Sequence, residues 1–179
     1  MKTTIATLIL TLALVGSYYT EPAVPKSITV VLPTEQSIKE GVKFDERQKQ
    51  YRRASIAAAQ IYRRHGCQTT FADATGRVAV EYGLSPRVLA ALVFVESSCN
   101  PNAASGRRSV GLTQVNALVW KYSATELKDP ERNLEIGASI LAAYIHRYGL
   151  VEGLHAYNGF GNKTNSYSMK VLRAASLID

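Results

Sequence analysis

The stretch VFVESSCNPNAAS, residues 93–105, joins the end of an apolar run to a loop of small polar residues. Every residue from 88 to 95 is apolar, and Glu96 is the first charged residue after that run. Ser85 and Pro86 precede the run in an order that favours a helix start, an N-cap followed by proline at the first helical position. Two alanines within the run also favour a helix over a buried strand, so we predict a buried helix over residues 86–97.

Glu96 would lie at the C-terminal end of this helix. Leu89, Leu92 and Val93 precede it at helical spacing and therefore share its face. Apolar neighbours and the negative end of the helix dipole both disfavour the ionised carboxylate, so the pattern predicts a raised pKa and a proton-donating acid. A glutamate that turns to solvent at a frayed helix end is the alternative, and the spacing alone does not choose between the two.

Length and charge narrow the classes of partner. The chain has 179 residues, enough for one domain with a sizeable core and an additional segment at one end. A net charge of +7 points to an anionic partner: nucleic acid, a membrane surface or a bacterial cell wall. Because the Lys and Arg residues are spread along the chain, with no basic stretch interleaved with aromatic residues, we expect no nucleic acid partner.

The first 17 residues predict a secretory signal peptide. Lys2 is followed by an apolar run of about a dozen residues, too short for a membrane span of roughly twenty. An uncleaved membrane anchor over residues 5–19 is the alternative, and the N-terminal segment would be the chain's one contact with a membrane. Both interpretations predict an exported protein in the periplasm or cell envelope. Residues 18–44, with three prolines, predict an extended linker containing a short strand over residues 27–32.

Helical periodicity begins at Asp45 and predicts an all-α domain over residues 45–179. Besides the helix that carries Glu96, the pattern predicts helices over residues 45–65, 71–82, 111–119, 133–148, 151–157 and 166–175. The sequence contains no internal repeat and no low-complexity tract.

Cys67 and Cys99 are the two cysteines of the chain. In an oxidising compartment a disulfide between them is the natural interpretation, and two free buried thiols are the alternative. The three histidines, His65, His146 and His155, are not spaced as metal ligands with this pair, and the sequence has no nucleotide-binding loop. We therefore expect neither a metal nor another cofactor.

Several short motifs follow one another over residues 71–172. They are Tyr82-Gly83-Leu84 with Pro86, Glu96-Ser97, Asn100-Pro101 with Ala103 and Ser105, Gly111-Leu112 with Gln114, Asn133 with Gly137 and Leu141, Ala156-Tyr157-Asn158, and Tyr167. In these motifs the segment resembles the catalytic domain of the soluble lytic transglycosylase family, which is related to goose-type lysozyme. The resemblance implies a lysozyme-like fold for the all-α domain.

The resemblance also implies an enzyme, a peptidoglycan lytic transglycosylase with Glu96 as its catalytic acid. In that family one Glu protonates the oxygen of the β-1,4 bond between N-acetylmuramic acid and N-acetylglucosamine. It then takes a proton from the muramyl 6-hydroxyl, which closes a 1,6-anhydro ring. A paired glycosidase needs a second carboxyl group about 5 to 9.5 Å away. After Glu96 the next acid is Glu126, although Asp73 or Glu81 would be available from earlier sequence.

By the same resemblance five further residues would bind the substrate: Ser97, Gln114, Tyr157, Asn158 and Tyr167. Ser97 and Gln114 would hold the catalytic carboxyl group and the sugar N-acetyl groups. The next two would line the cleft, and Tyr167 would reach towards the carboxyl group. Plainer interpretations are a helix cap for Gln114, core packing for Tyr157, a turn for Asn158 and a surface position for Tyr167.

Some positions depart from the family pattern. Thr113 stands where Met is usual, which would alter packing beside the glycan. Arg108 and Ser109 replace the common Gly-Ala, which adds positive charge near the cleft and leaves the shape of this loop open. Cys99 replaces a residue that is often apolar or aromatic, and a bridge to Cys67 would pin the loop after the helix.

The predicted partner is the glycan strand of peptidoglycan, and we expect a monomer. A muramidase is the nearest alternative function, because it would use the same acid and differ only in its products. A low-turnover glycan-binding component of a secretion or phage machine is an alternative from another class, since it would keep the fold without fast cleavage.

Overall fold

The computed structural model describes residues 33–106, 108–159 and 165–177. The predicted signal or anchor, the predicted strand over residues 27–32 and most of the predicted linker lie outside the described residues. The elements in chain order are α1 (Glu35–Arg64), a 3-10 helix (Thr69–Phe71), α2 (Ala72–Glu81), α3 (Pro86–Ser97), β1 (Ser109–Val110), β2 (Val115–Asn116), α4 (Ala117–Trp120), α5 (Ala124–Lys128), α6 (Pro130–Tyr148), α7 (Leu150–Tyr157) and α8 (Ser166–Ala174). The predicted all-α class is confirmed, with one small antiparallel sheet added to it.

Helix α3 is the centre of the core. Its residues from Val88 to Val93 are at most 1% exposed. The apolar helix packs against α2 and α8, and buried residues of α6 and α7 complete the same cluster. Since apolar neighbours surround α3, its sequence needs no polar face between Val88 and Val95. The helix predicted over residues 86–97 is therefore confirmed, with the same ends.

Helix α1 begins ten residues before the predicted start at Asp45, so the expectation of an extended linker to residue 44 is wrong for Glu35 onward. Thr34 caps it: its Oγ1 accepts from Ser37 N at 3.2 Å, and its carbonyl accepts from Ser37 Oγ at 2.8 Å. Residues 33–50 are exposed and form no apolar stripe. The sequence therefore has no hydrophobic periodicity there from which a helix could be predicted. Residues before Asp45 belong to a separate unit from the domain that follows.

A hairpin replaces the helix predicted over residues 111–119. Ser109 of β1 pairs with Asn116 of β2, and Val110 pairs with Val115, which leaves a four-residue turn at 111–114. The backbone at Gly111 and Gln114 is left-handed, with φ of 80° and 51°, and that conformation does not continue a right-handed helix. The helical part of this segment is α4 alone.

Helix α6 packs against several neighbouring elements, above all α7. It begins at Pro130, three residues before the predicted start. Asp129 is its N-cap, and Asp129 Oδ1 accepts from Arg132 N at 2.7 Å. Gly153 of α7 lies directly against it, since a Cβ there would come within 2.7 Å of Ile145 Cα. Ser168 Oγ of α8 in turn donates to the Val151 carbonyl of α7 at 2.7 Å. Within the described parts of the chain, no helix has the length and apolar character of a membrane span.

Candidate active site

Glu96 lies one residue before the end of α3, and its side chain is half-buried. The helix ends because Ser98 and Cys99 both take left-handed backbone conformations, with φ of 51° and 63°. Such a turn in non-glycine residues costs about 1 kcal/mol per residue and needs support from its surroundings. The structure joins Cys99 to Cys67 in a disulfide, with the Sγ atoms 2.10 Å apart, and this bond ties the turn to the segment after α1.

The Glu96 carboxyl group has a direct partner in Tyr167 of α8. The Tyr167 hydroxyl donates a hydrogen bond to Glu96 Oε1. Burial raises the pKa of the Glu96 carboxyl above its ordinary value, whereas this hydrogen bond and the positive charge of Lys170 lower the pKa. Burial is the largest of the three effects, so the site favours the protonated acid relative to a carboxyl group in water.

Two phenols near this carboxyl group are held neutral. Burial and the negative charge of Glu96 raise the pKa of both Tyr157 and Tyr167 well above the ordinary value of a phenol. Both hydroxyls therefore keep their protons and remain hydrogen-bond donors near neutral pH. Tyr157 Oη donates to the Thr113 carbonyl at 2.9 Å, which fixes the end of α7 to the hairpin turn.

The hairpin turn at residues 111–114 is also bound to α3. Ser97 is buried, and its hydroxyl faces the carbonyls of Val93 at 2.9 Å and Leu112 at 2.8 Å. A hydroxyl has one proton, so Ser97 donates to one of these carbonyls at a time. Gln114 Nε2 donates to the Ala103 and Gly111 carbonyls, each at 3.1 Å, and holds the loop after α3.

The side chain of Asn133 on α6 hydrogen-bonds to the same turn, a role that the sequence did not reveal. Its Oδ1 accepts from Thr113 N at 2.8 Å and from Thr113 Oγ1 at 2.7 Å. Its Nδ2 donates to the Val110 carbonyl at 2.8 Å and to the Leu127 carbonyl at 3.0 Å. Asn133 is fully buried, so four hydrogen bonds satisfy an amide that would otherwise be costly to bury.

Thr113 faces α6 and is fully buried. The side chain contacts Asn133 and lies so close to Gly137 that a Cβ there would come within 2.3 Å of Thr113 Oγ1. Thr113 is not among the described residues that line the cleft, so the side chain that replaces Met here packs against α6 and not directly against the space beside Glu96. The family motif at residue 137 has a physical reason here: only glycine leaves room for the threonine.

A cleft of about 470 Å³ opens beside Glu96. Its described lining residues come from the end of α3, the hairpin, α4, α6 and the end of α7: Glu96, Ser105, Ser109, Gln114, Val115, Asn116, Val119, Trp120, Ile140, Tyr144, Ala156, Tyr157, Asn158 and Gly159. Among these described residues Glu96 is the only carboxylic acid. The polar side chains on several walls suit a ligand rich in hydroxyl and amide groups.

The structure brings most of the predicted site residues together. Gln114, Tyr157 and Asn158 line the cleft with Glu96, and Tyr167 hydrogen-bonds to its carboxyl group. Ser97 differs, because its hydroxyl binds backbone carbonyls beneath the cleft and not the carboxyl group of its neighbour. In this structure the Ser97 hydroxyl joins α3 to the hairpin turn through the Leu112 carbonyl.

The two earlier acids considered as a second carboxylate lie elsewhere. Asp73 lines a different groove of about 670 Å³ between α1 and α2, which shares no described lining residue with the cleft. Glu81 pairs with Arg77 at 3.5 Å. Neither of these acids lines the cleft that contains Glu96 and the predicted substrate-binding residues, so we place the candidate active site at that cleft. Over the described residues no three His, Cys, Asp or Glu side chains form a metal-binding group.

Comparisons with known proteins point to one family. A family model described as the transglycosylase SLT domain matches residues 73–174. A transglycosylase of Enterobacteria phage PRD1 is 36% identical over an alignment of 114 residues that covers 59% of this chain and 43% of that protein. An endo-type membrane-bound lytic murein transglycosylase A of Cronobacter sakazakii is 36% identical over 94 residues, 46% of this chain and 45% of that protein. The chain thus spans less than half the length of each of these relatives.

Proposed function

Because the chain belongs to the transglycosylase SLT domain family, we propose that it is a peptidoglycan lytic transglycosylase. The match agrees with the family predicted from the motifs over residues 71–172. The observation that carries the proposal is a single described carboxylic acid in the cleft, half-buried, with a raised pKa and a phenol donor on one oxygen. A one-acid site suits a reaction in which the substrate supplies its own nucleophile.

The first step is proton transfer from Glu96. Its Oε1 accepts the Tyr167 hydrogen bond, so the proton of the neutral acid is carried by Oε2. Oε2 donates this proton to the glycosidic oxygen while the bond from that oxygen to C1 of N-acetylmuramic acid breaks, and C1 is left with the character of an oxocarbenium ion. N-acetylglucosamine leaves with a free 4-hydroxyl group, and Glu96 becomes a carboxylate.

The second step returns the proton. The muramyl 6-hydroxyl oxygen forms a bond to C1, and the Glu96 carboxylate accepts the proton of that hydroxyl group. The product is a 1,6-anhydromuramyl end, and the acid is protonated again for the next cycle. Tyr167 stabilises the carboxylate between the two steps, because its hydroxyl is a fixed donor to Oε1.

The remaining site residues act by shaping the cleft. Gln114, Tyr157 and Asn158 bind the sugar strand, since they line the cleft with polar groups. Ser97 holds the hairpin turn against α3, which supports the position of the neighbouring acid. The catalytic domain extends from Asp45 to Asp179, and the protein acts as a monomer without a cofactor.

The substrate places the protein in the cell envelope. It is exported by the segment over residues 1–17, either free in the periplasm or anchored by residues 5–19. Its net charge of +7 attracts a wall that bears carboxylate and phosphate groups, and salt weakens this attraction. Residues 18–32 act as a linker between the export segment and α1.

Product analysis tests the proposal. The full chain is incubated with purified peptidoglycan, and the released muropeptides are analysed by mass. Anhydro ends, 18 mass units lighter than hydrated ends because one water is not added, are the expected result. Reducing ends would assign the protein to the muramidases, and the absence of new ends would leave the glycan-binding role.

A further inference from the structure

The single tryptophan of the chain lies at the rim of the cleft. Trp120 is the last residue of α4, and Lys121 ends that helix in a left-handed conformation. Asn116 caps the start of the helix, since its Oδ1 accepts from Leu118 N at 3.1 Å and from Val119 N at 3.2 Å. The capped turn fixes Trp120 beside the polar lining of the cleft, and 39% of the residue is exposed.

Tyr144 of α6 supports the indole from the side. The two rings are 6.3 Å apart at an interplanar angle of 72°, an edge-to-face contact. Tyr144 also stacks with Tyr148 one turn later, at 6.3 Å and 28°. The orientation of Trp120 is therefore set by a packed aromatic neighbour, although the residue remains open to solvent.

We propose that Trp120, held by Tyr144, forms a sugar-stacking subsite of the cleft, distinct from the atoms at which the glycosidic bond is cleaved. The proposal rests on the proposed function, because it takes the ligand to be a peptidoglycan glycan strand. A pyranose ring has apolar C–H faces and a rim of hydroxyl groups. The face of the tryptophan ring suits the apolar C–H face of the sugar. Polar side chains that line the same cleft suit the hydroxyl rim: Asn116, Ser109 and Asn158.

The position of the exposed apolar residues favours this ligand over a protein partner. Trp120 and Tyr144 line the cleft together with Glu96, so the aromatic surface is continuous with the candidate active site. Leu118 on the same short helix is 61% exposed but does not line the cleft. A protein-docking surface would use Leu118, whereas a subsite of the cleft would not. Leu118→Ala is therefore the matched control.

Tryptophan fluorescence gives a direct test, because Trp120 is the one indole of the chain. Full-length Glu96→Gln is titrated with soluble glycan strands from which the peptides have been removed. We expect a saturable change in the emission of Trp120, with the same midpoint as calorimetric binding. This measurement needs no substitution at Trp120 and does not depend on the folding of a Trp120 variant.

Calorimetry on further variants in the same background tests the energetic contribution. Trp120→Ala is expected to weaken binding about tenfold, which corresponds to about 1.4 kcal/mol. Trp120→Phe is expected to recover part of the loss, and Leu118→Ala to bind as the parent does. Strand binding without a change in Trp120 emission, an unchanged affinity in Trp120→Ala, or an equal loss in Leu118→Ala would each overturn the subsite.

Failure of the proposed function is distinguished by cleavage. If the unsubstituted protein releases no new ends while Trp120 emission still saturates with glycan, the transglycosylase proposal fails and the subsite stands. If it releases anhydro ends while Trp120→Ala binds strands normally, the subsite fails and the function stands. A strand that does not bind at all overturns the subsite.

Discussion

Opposing effects act on the carboxyl group of Glu96, and their balance determines how the residue works. Burial raises its pKa, while the Tyr167 hydroxyl and the Lys170 ammonium lower it. An acid must give up its proton in one step and take one back in the next, so neither form may be strongly favoured. Burial favours the protonated form of Glu96, which donates the proton, and the Tyr167 hydrogen bond stabilises the carboxylate that remains.

Tyr167→Phe is expected to move the pH profile of the enzyme. Without the hydrogen bond the Glu96 pKa rises further, so the alkaline limb of kcat/KM, on which the acid loses its proton, shifts to higher pH. The rate at the optimum should fall about 10- to 100-fold, because the carboxyl group is no longer held in one orientation. Turnover measured across pH on soluble glycan strands gives both quantities.

Lys170→Gln is the matched control for that experiment. Lys170 is exposed and raises the stability of the carboxylate through its charge alone. Its removal should move the alkaline limb in the same direction and leave the optimum rate close to that of the parent. An alkaline limb that moves to lower pH in Tyr167→Phe would contradict the assigned direction.

Glu96→Gln is expected to stabilise the fold at neutral pH. The folded-state pKa of Glu96 lies above its unfolded value, so its contribution to stability is fully present below the unfolded pKa and is lost as the pH rises through the folded pKa. Replacing the carboxylate by a neutral amide should raise the free energy of unfolding by about 0.5–1 kcal/mol at pH 7. Urea unfolding at pH 7 and pH 4 should show the gain at pH 7 and little at pH 4. As a control, Glu152→Gln at an exposed position should change the free energy of unfolding at pH 7 by less than about 0.5 kcal/mol.

Part of the environment of the Glu96 side chain could be predicted from the sequence. The apolar residues one turn before Glu96 indicated its burial, because helical spacing places them on its face. Tyr167 lies 71 residues later and no local pattern connects the two, so only the family resemblance suggested the contact. The position of Ser97 beneath the cleft was not predictable, since its partner Leu112 belongs to a hairpin that the pattern had assigned to a helix.

Among the elements, the hairpin depends on α6. The pattern over residues 111–119 predicted a helix. In the structure Asn133 hydrogen-bonds to Thr113 N and to the Val110 carbonyl, and the backbone between β1 and β2 forms a turn. This tertiary contact outweighs the local propensity. By contrast Ser85 and Pro86 define the start of α3 locally, and that helix was predicted with the correct ends. The first turns of α1 gave no apolar period because those residues are exposed.

Asn133→Ala is expected to loosen the turn and lower stability. The substitution leaves buried backbone groups of Thr113, Val110 and Leu127 without their partner, at a cost of about 2–4 kcal/mol. Thermal unfolding should report the loss, and glycan cleavage should fall with it because Gln114 belongs to the same turn.

Ser139→Ala is the control on α6. Its hydroxyl donates only to the Ile136 carbonyl of its own helix, at 2.8 Å, so a change below about 0.5 kcal/mol is expected. Equal losses in the two variants would show that α6 as a whole, and not the Asn133 amide, determines the stability of the turn.

At the scale of the whole domain, the disulfide connects the two ends of the segment that contains α2 and α3. Cys67 and Cys99 are separated by 32 residues, and a crosslink of that length stabilises a fold by about 3–4 kcal/mol in the chain-entropy model. It also holds the left-handed turn that directs the chain away from Glu96. The cysteines alone left free thiols as an alternative; the structure pairs them.

The double variant Cys67→Ser, Cys99→Ser is expected to lose about 3 kcal/mol in denaturant unfolding. Addition of reductant to the parent protein should give a similar loss, and reductant should leave the double variant unchanged. If the double variant and the oxidised parent unfold at the same denaturant concentration, the disulfide has no stabilising role.

In the proposed mechanism the carboxyl group of Glu96 carries the proton in both steps of the reaction. The most direct measurement is the rate at which the full chain and Glu96→Gln release 1,6-anhydromuramyl ends from the same purified peptidoglycan. We expect the rate to fall at least about 100-fold in Glu96→Gln, because an amide neither donates nor accepts this proton, and strand binding measured by calorimetry to stay unchanged. Release of anhydro ends at a comparable rate by both proteins would contradict this mechanism.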